Sequence, residues 1–326
     1  MPIGSRYFFV AALALGLLAV GLAGAAAQTW PARPVKLIVG FAPGGPTDLF
    51  ARLIAQSLTQ QTGKNFYIEN VPGAGGNVGA VRAAHAPPDG YTLLVTGGNI
   101  TNNPYLFSNV GYDPLKDFAA VTVGAATPVV LAVNPAVPAH SVKELVALIR
   151  AGAGKFSYAS PGTGTPPQLV GALFAHSLSL DLVHVPFGGG GPAVEATTAG
   201  HTPISFGAMA PAVPLIKDGG LRALAVTGKE RSPALPDIPT MAEAGFPEVE
   251  GATWTAVLAP AGTPEDIIAQ LHRMIVQGLA QPEVKEKLAA MAYVPIGNTP
   301  QQCEEFLKAE MAKWGKVIED AGLKAE

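Results

Sequence analysis

Apolar residues in this chain come in short runs that stop at glycine or proline, and most of the stops open into a stretch with helical spacing. Leu37, Ile38 and Val39 form a strand-length run that breaks at Phe41-Ala42-Pro43-Gly44-Gly45-Pro46, and an amphipathic helix is expected over residues 49–62. The same alternation continues down the chain. Strands are expected over residues 66–70, 91–96, 121–124, 129–133, 156–159, 182–185, 203–206, 221–227 and 253–258. Helices are expected over residues 78–85, 142–150, 169–178 and 192–199, and residues 97–103 read as a small polar loop at a strand end. Three helices close the chain, over residues 264–279, 282–291 and 300–321, the last with Phe306, Met311, Trp314 and Ile318 available for an apolar face that packs over a neighbouring lobe. A strand-helix-strand rhythm of this kind predicts an α/β protein built on parallel sheets.

Two of the turns share one chemistry. In Val35–Asp48 a strand runs through glycines to a proline at a helix start, with Thr47 and Asp48 as small polar residues of the first turn. Gly44 and Gly45 lack Cβ atoms, so a ligand can approach the main chain where free N–H groups and the helix dipole favour an anion. Further on, Ser160-Pro161-Gly162-Thr163-Gly164-Thr165-Pro166-Pro167-Gln168 repeats the pattern of glycines, threonine, proline and helix. Two such helix starts facing one another across a cleft would hold a carboxylate from both sides. The bland alternative is a pair of capped turns with no ligand.

Length and charge narrow the field. The 326 residues suffice for two lobes, and a net charge of −3 with no basic block argues against nucleic acid as a partner. Arg6 precedes an apolar segment over residues 7–23, and Ala25-Ala26-Ala27 supplies a small-residue cleavage site before Gln28, so residues 1–27 are expected to be a secretory signal peptide, with an uncleaved anchor as the alternative. The single cysteine, Cys303, allows neither an intrachain disulfide nor a thiolate metal site.

Other catalytic and cofactor signatures fail on spacing. Gly73, Gly75, Gly76 and Gly79 do not give the dinucleotide pattern, and no P-loop lysine follows a glycine run. Ser160 half-resembles a nucleophile elbow but has Tyr158 where glycine is required. The six histidines show neither a zinc motif nor a close carboxylate, so no metal or other cofactor is expected. Trp254 reads equally as core or as a pocket wall.

Against this background the segments FAPGGPTD, ENVPGAGGNVGA, PDGYTLL, YDPLKDFA, YASPGTGT, VHVPF, LRALAVTGKERSPALPDIPTMAEAGFP, APAGTP and KWGKVI resemble the substrate-binding proteins of tripartite tricarboxylate transporters, also called Bug proteins, across essentially the whole mature chain. The resemblance implies a two-lobed periplasmic binding protein fold of type II character, with a mixed or parallel sheet and flanking helices in each lobe and two crossing strands between them. The lobes would comprise residues 28–125 plus 250–326 and residues 126–249. It implies a periplasmic receptor that closes on a small organic carboxylate and delivers it to membrane permease subunits, without a cofactor and as a monomer.

The two loops that would hold the carboxylate match Phe41, Pro43, Gly44, Gly45, Thr47 and Asp48 on one side and Ser160, Gly162, Gly164, Thr165 and Gln168 on the other. Thr96, Gly97, Asn99, Phe187, Gly188, Gly207, Ala208 and Trp254 would line the remaining walls. Three departures from the family pattern remove ionisable groups: Gln168 where histidine is common, Gly188 where a basic residue is common, and Gly207 where aspartate is common.

A buried ligand ammonium would then lack a partner, so a carboxylate without an amino group and with an apolar or aromatic body is expected. The nearest alternative is an aliphatic dicarboxylate met at its far end by Gln168, Asn99 or water. A carboxylate-sensing receptor for a signalling partner would look the same. A secreted hydrolase or isomerase would need an acid/base pair or an activated nucleophile in these loops.

Overall fold

The computed structural model describes residues 30–152 and 154–324, so the expected signal peptide over residues 1–27 lies outside the described residues. The first part of the chain contains β1 (Val35–Val39), α1 (Pro46–Thr62), β2 (Phe66–Asn70), α2 (Asn77–Ala84), β3 (Thr92–Gly97) and α3 (Asn99–Leu106). A long strand, β4 (Phe118–Val133), leads to α4 (Val142–Ala151), β5 (Ser157–Ser160), α5 (Pro166–Ser177), β6 (Val183–Pro186), α6 (Gly190–Thr198), β7 (Ile204–Ala208), α7 (Met209–Lys217) and β8 (Arg222–Val226). The chain returns through β9 (Ala252–Pro260), α8 (Glu265–Ala280), α9 (Pro282–Ala290), β10 (Val294–Pro295) and α10 (Pro300–Asp320).

In one lobe the sheet order is β2-β1-β3-β9-β4, with β1 parallel to both neighbours and β9 antiparallel to β3 and β4. In the other, β6, β5 and β7 are parallel and β4 pairs antiparallel with β7 and β8. Parallel neighbours need crossover connections, which is why the glycine turns after β1, β2, β5 and β6 feed helices. The mixed sheets and flanking helices form the two-lobed α/β fold.

Where two separate strands are expected over residues 121–133, a single strand of 16 residues runs without interruption. Its register holds β9 as far as Pro128 opposite Ala252, and from Val129 onward it holds β7 and β8. The crossing is therefore made by one backbone that changes partners, and the small residues Gly124, Ala125 and Ala126 pass through it without ending the ladder. The second crossing is the run into β9. There Thr227, fully buried, accepts from Val129 N–H at 3.0 Å and donates from the same hydroxyl to Gly251 C=O at 2.6 Å, while Gly251 N–H returns a bond to Thr227 C=O at 3.0 Å.

Residues 99–106, expected in part as a loop, form α3 even though Pro104 lies inside it. A proline there leaves the carbonyl of Ile100 without its helical donor. The Tyr112 hydroxyl, which donates to Asn77 Oδ1 at 3.1 Å, lies 3.4 Å from this carbonyl. The last helix packs on both cores: Cys303 and Leu307 lie with Ile38, Leu94 and Trp254, whereas Trp314, Val317 and Ile318 lie with Val129, Tyr158 and Phe174.

The Thr227 hydroxyl joins both crossing segments, so Thr227→Val should strand a buried N–H and a buried C=O and lower stability by about 1–3 kcal/mol. Urea unfolding measures the change. An unchanged midpoint would mean that the crossing does not depend on this hydroxyl.

Candidate functional site

The two glycine turns are built alike down to single hydrogen bonds. In the first, Gly45 is the N-cap, Pro46 opens α1, and Asp48 folds back so that its Oδ2 accepts from Gly44 N–H at 2.9 Å. In the second, Thr165 is the N-cap, Pro166 opens α5, and the Gln168 Oε1 accepts from Gly164 N–H at 2.8 Å. Gly44 has φ +88° and Gly164 has φ +78°, a region that disfavours any side chain. Each turn is thus closed by the side chain four residues on. Gly44 and Gly164 N–H were expected to be ligand donors, and both are already engaged within the protein.

The first-turn donors left over are Gly45, Thr47 and Asp48 N–H, which meet no acceptor among the described residues. In the second turn Thr165 N–H makes only a long contact of 3.4 Å to Gly162 C=O, and the Thr165 hydroxyl is committed to the same carbonyl at 2.7 Å.

Asp48 is buried yet fully partnered. Beyond Gly44, its carboxylate accepts from Arg52 at 2.8 and 3.1 Å and from Asn70 Nδ2 at 2.8 Å, and Asn70 also donates to Phe41 C=O at 3.0 Å. Burial pushes the Asp48 carboxyl upward, but the hydrogen bonds from Arg52, Gly44 and Asn70, with the Arg52 charge, outweigh it and hold the group below the usual carboxylate range. The turn therefore carries an ion pair and no uncompensated charge. Asn70 and Arg52 did not emerge from the sequence as site residues. Asn70 stands at the end of β2, beside the β1 end that carries Phe41, and strand-end position was the available signal.

Tight contacts bring the loops together. A Cβ on Gly76 would meet Asn99 Nδ2 at 2.6 Å and the Phe41 ring at 3.3 Å, and one on Gly98 would meet Pro166 at 3.2 Å. A Cβ on Gly164 would meet Leu106 at 3.1 Å and Asn103 Oδ1 at 3.7 Å. The α5 start of one lobe thus sits against the β3–α3 turn of the other, beside Phe41. Thr96 and Gly97 both donate to Asn99 Oδ1 at 3.2 Å, which fixes that amide. Behind the turn, Asn103 Nδ2 donates to Gly75 C=O and to Asn77 Oδ1, and Tyr112 shares Asn77 Oδ1.

The expected wall residues divide. Phe187 follows β6, its N–H donating to Ser160 C=O at 3.0 Å, and its carbonyl lies 3.3 Å from where a Gly162 Cβ would stand. Gly188 faces open space, with nothing within 4 Å of a Cβ. Gly207 does not leave the expected room: a Cβ there would meet Ser205 Oγ at 3.1 Å and Val194 at 3.2 Å, so its missing side chain is filled by α6 packing. Ala208 ends β7 opposite Val129 and is half-buried. Trp254 is core rather than a ligand wall, 1% exposed, edge-on to Phe306 with ring centres 5.2 Å apart, and its indole N–H donates to Glu310 at 2.8 Å.

Ser160 brings an unexpected partner, since its buried hydroxyl lies 2.7 Å from His184 Nε2. Burial lowers the imidazole pKa to about 4, and among the described residues no carboxylate bonds its other nitrogen. A base neutral to that depth does not draw a proton from serine at pH 7. The pair fixes the start of the second turn, because Ser160 Oγ also accepts from Gly162 N–H at 3.3 Å. A separate hollow of about 460 Å³, bordered by Pro114, Phe118, Glu265 and Glu304, contains none of the glycine turns.

The sequence profile of the tripartite tricarboxylate transporter family receptors matches residues 50–323. The chain belongs to this receptor family. Among its relatives, BugT of Bordetella pertussis is 35% identical over 300 residues, spanning 91% of this chain and 92% of BugT. Among solved structures, R. palustris Rpa4515 with adipate is 35% identical with TM-score 0.81 over 90% of this chain and 99% of that one. The periplasmic binding protein BugD is 31% identical with TM-score 0.78 over 91% and 100%. Receptors of this family bind solutes.

Replacing Asp48 by Asn in this receptor sets an amide nitrogen against donors and removes a charge-assisted bond, so stability at pH 7 should fall by about 1–3 kcal/mol. The ionised carboxylate is favoured on folding, so its contribution is present above the unfolded pKa and is lost as pH falls through the lower folded value. The deficit measured by urea unfolding should accordingly narrow in acid. Equal stability of both proteins at pH 7 would refute this account of the turn.

Proposed function

We propose that this receptor captures a small organic carboxylate lacking an amino group between its lobes in the periplasm and delivers it to the membrane subunits of a tripartite permease. One observation carries the reading: two helix starts of matching construction, one from each lobe, both border the β3–α3 turn, through Phe41 on one side and Pro166 on the other, with N–H donors and with Asp48 already neutralised. A carboxylate gains charge-assisted hydrogen bonds there. An ammonium gains nothing, because the oxygens of Asp48, the acid of the turns, are taken by Gly44, Arg52 and Asn70. On this reading residues 28–125 with 250–326 move against residues 126–249, a division supported by the change of β4 partners after Pro128. Adipate bound to Rpa4515, a relative of the same fold, agrees with the chemistry.

An esterase-like reading draws on the Ser160–His184 contact, and the low imidazole pKa of about 4 argues against it. A thermal-shift screen of the ligand-stripped protein addresses both readings. Linear and aromatic carboxylates should raise the midpoint, by about 2.7 kcal/mol of stabilisation at one hundred times Kd, and should be recovered unchanged after hours with stoichiometric protein. Aspartate and glutamate should shift it less than succinate and glutarate. Absence of any carboxylate effect, or turnover beyond one equivalent, would sink the proposal. Export is tested separately by intact mass: periplasmic protein should lack residues 1–27.

A further inference from the structure

Beneath the point where the lobes touch, two buried tryptophans share one acceptor. Pro166, the first residue of α5, comes within 3.2 Å of the Cβ position of Gly98, the residue before α3, and Trp254 Nε1 lies 3.9 Å from that same position. The Trp254 indole N–H donates to Glu310 Oε2 at 2.8 Å, and the same oxygen accepts from the Trp314 indole at 3.0 Å. Both rings are 1% exposed. An indole nitrogen can only donate, so each ring depends on this one carboxylate.

Glu310 stands in the middle of α10, a helix with one half in each lobe. Cys303 and Leu307 lie in the core that holds Trp254, whereas Trp314, Val317 and Ile318 lie in the core that holds Tyr158 and Phe174. Tyr105, from α3 of the first lobe, lies across Gly315, where a Cβ would meet its ring at 2.6 Å. A helix held in both lobes cannot follow both when they part. Trp314 stays beside Glu310 because it is four residues along the same helix, so parting takes Trp254 away from the oxygen or draws Trp314 out of the second core. The first strands a buried N–H and the second exposes a large apolar ring. Both costs favour the arrangement in which the lobes touch.

We propose that Glu310 is a positioning residue for lobe closure: by serving both indoles at once, it latches the Gly98 turn of one lobe against Pro166 of the other. It acts through the two rings and not on a ligand. The proposal takes from the proposed function only that the lobes move against one another, and adds the device that sets how readily they part.

The test measures lobe separation in the ligand-free protein. Spin labels on Tyr67→Cys and Val183→Cys report it, because both positions are exposed and lie on β2 and β6, the outer strands of the sheet order, one in each lobe. Cys303 is buried and stays unlabelled. With Glu310 intact the short-distance population should dominate. Glu310→Leu should lower the ratio of short to long distances by roughly 10- to 100-fold, the factor of one lost hydrogen bond to a charged group. Glu310→Gln keeps an oxygen for both N–H groups and should lose less than about tenfold, a rescue that general loosening of the fold would not show. Trp254→Phe keeps an aromatic ring without the N–H and should shift the ratio in the same direction as Glu310→Leu, so it decides the matter should the leucine variant fail to fold. An unchanged distribution in the folded leucine variant, or in the Phe variant where it takes that place, would overturn the latch. A glutamine variant as open as the leucine variant would overturn it too. No ligand is present in this measurement, so a carboxylate screen without effect would sink the proposed function and leave the latch standing.

Discussion

The backbone of β4 is the constraint on which the other parts depend. A strand presents N–H and C=O groups along both edges, and those that are buried need partners. Over 16 residues β4 finds them first in β9 and β10 and then in β7 and β8, so each lobe is completed by the same continuous chain. Each sheet takes its own share of this strand, residues 118–128 for one and 129–133 for the other. The change of partners falls after Pro128, which has no N–H to give to a ladder and so suits the point where one ladder stops and the next begins. Thr227 then links the two crossing segments through a single hydroxyl.

A second tie runs across the same place. Glu310 Oε2 accepts the indole N–H of Trp254 at 2.8 Å and of Trp314 at 3.0 Å, and the two rings belong to the cores of different lobes. Each buried indole has one donor to satisfy, and one carboxylate oxygen satisfies both. The backbone at this point must come close. A Cβ on Gly251 would meet Val170 at 2.5 Å and Trp314 at 3.0 Å, so glycine at the return crossing lets α10 lie against it. This explains why α10 packs on both cores: its middle turn is anchored to the crossing.

The strand-turn-helix order was legible because its cues are local. Glycine, proline and a change of apolar period sit within a few residues of each boundary, and both glycine turns stand between strand and helix where those cues placed them. What stayed hidden depends on where side chains turn. Nothing in the spacing says that Asp48 and Gln168 bend back to take the N–H groups of Gly44 and Gly164, since the same residues facing outward would leave those donors free. The fused β4 was missed because Gly124 and Pro128 are local stop signals that a central strand overrides through pairing on both edges. Tertiary context likewise overrode Pro104, whose helix is tied through Asn103 to Asn77 and Gly75 and packs against the buried Tyr112. Gly207 misled for a related reason: a missing Cβ marks room only if a neighbour has not filled it, and Val194 and Ser205 have.

The chemistry of the turns also bears on release. A site that held its carboxylate by a buried, unpaired arginine would bind through a strong ion pair and leave a stranded charge whenever it emptied. Here Arg52 is committed to Asp48, so the turns are neutral with or without ligand, and hydration can replace the ligand at the exposed Gly44–Thr47 edge. At roughly 1.5–3 kcal/mol for each hydrogen bond to a charged group, a few backbone and amide donors suffice for the ~8 kcal/mol of micromolar binding. On the proposed reading the donors come from separate lobes, so they would act on one ligand together only while the lobes are close. Separating the lobes divides that total between two weak half-sites. On the proposed reading, a receptor that must give up its cargo would gain from this arrangement, because opening the cleft would be enough to let a carboxylate go.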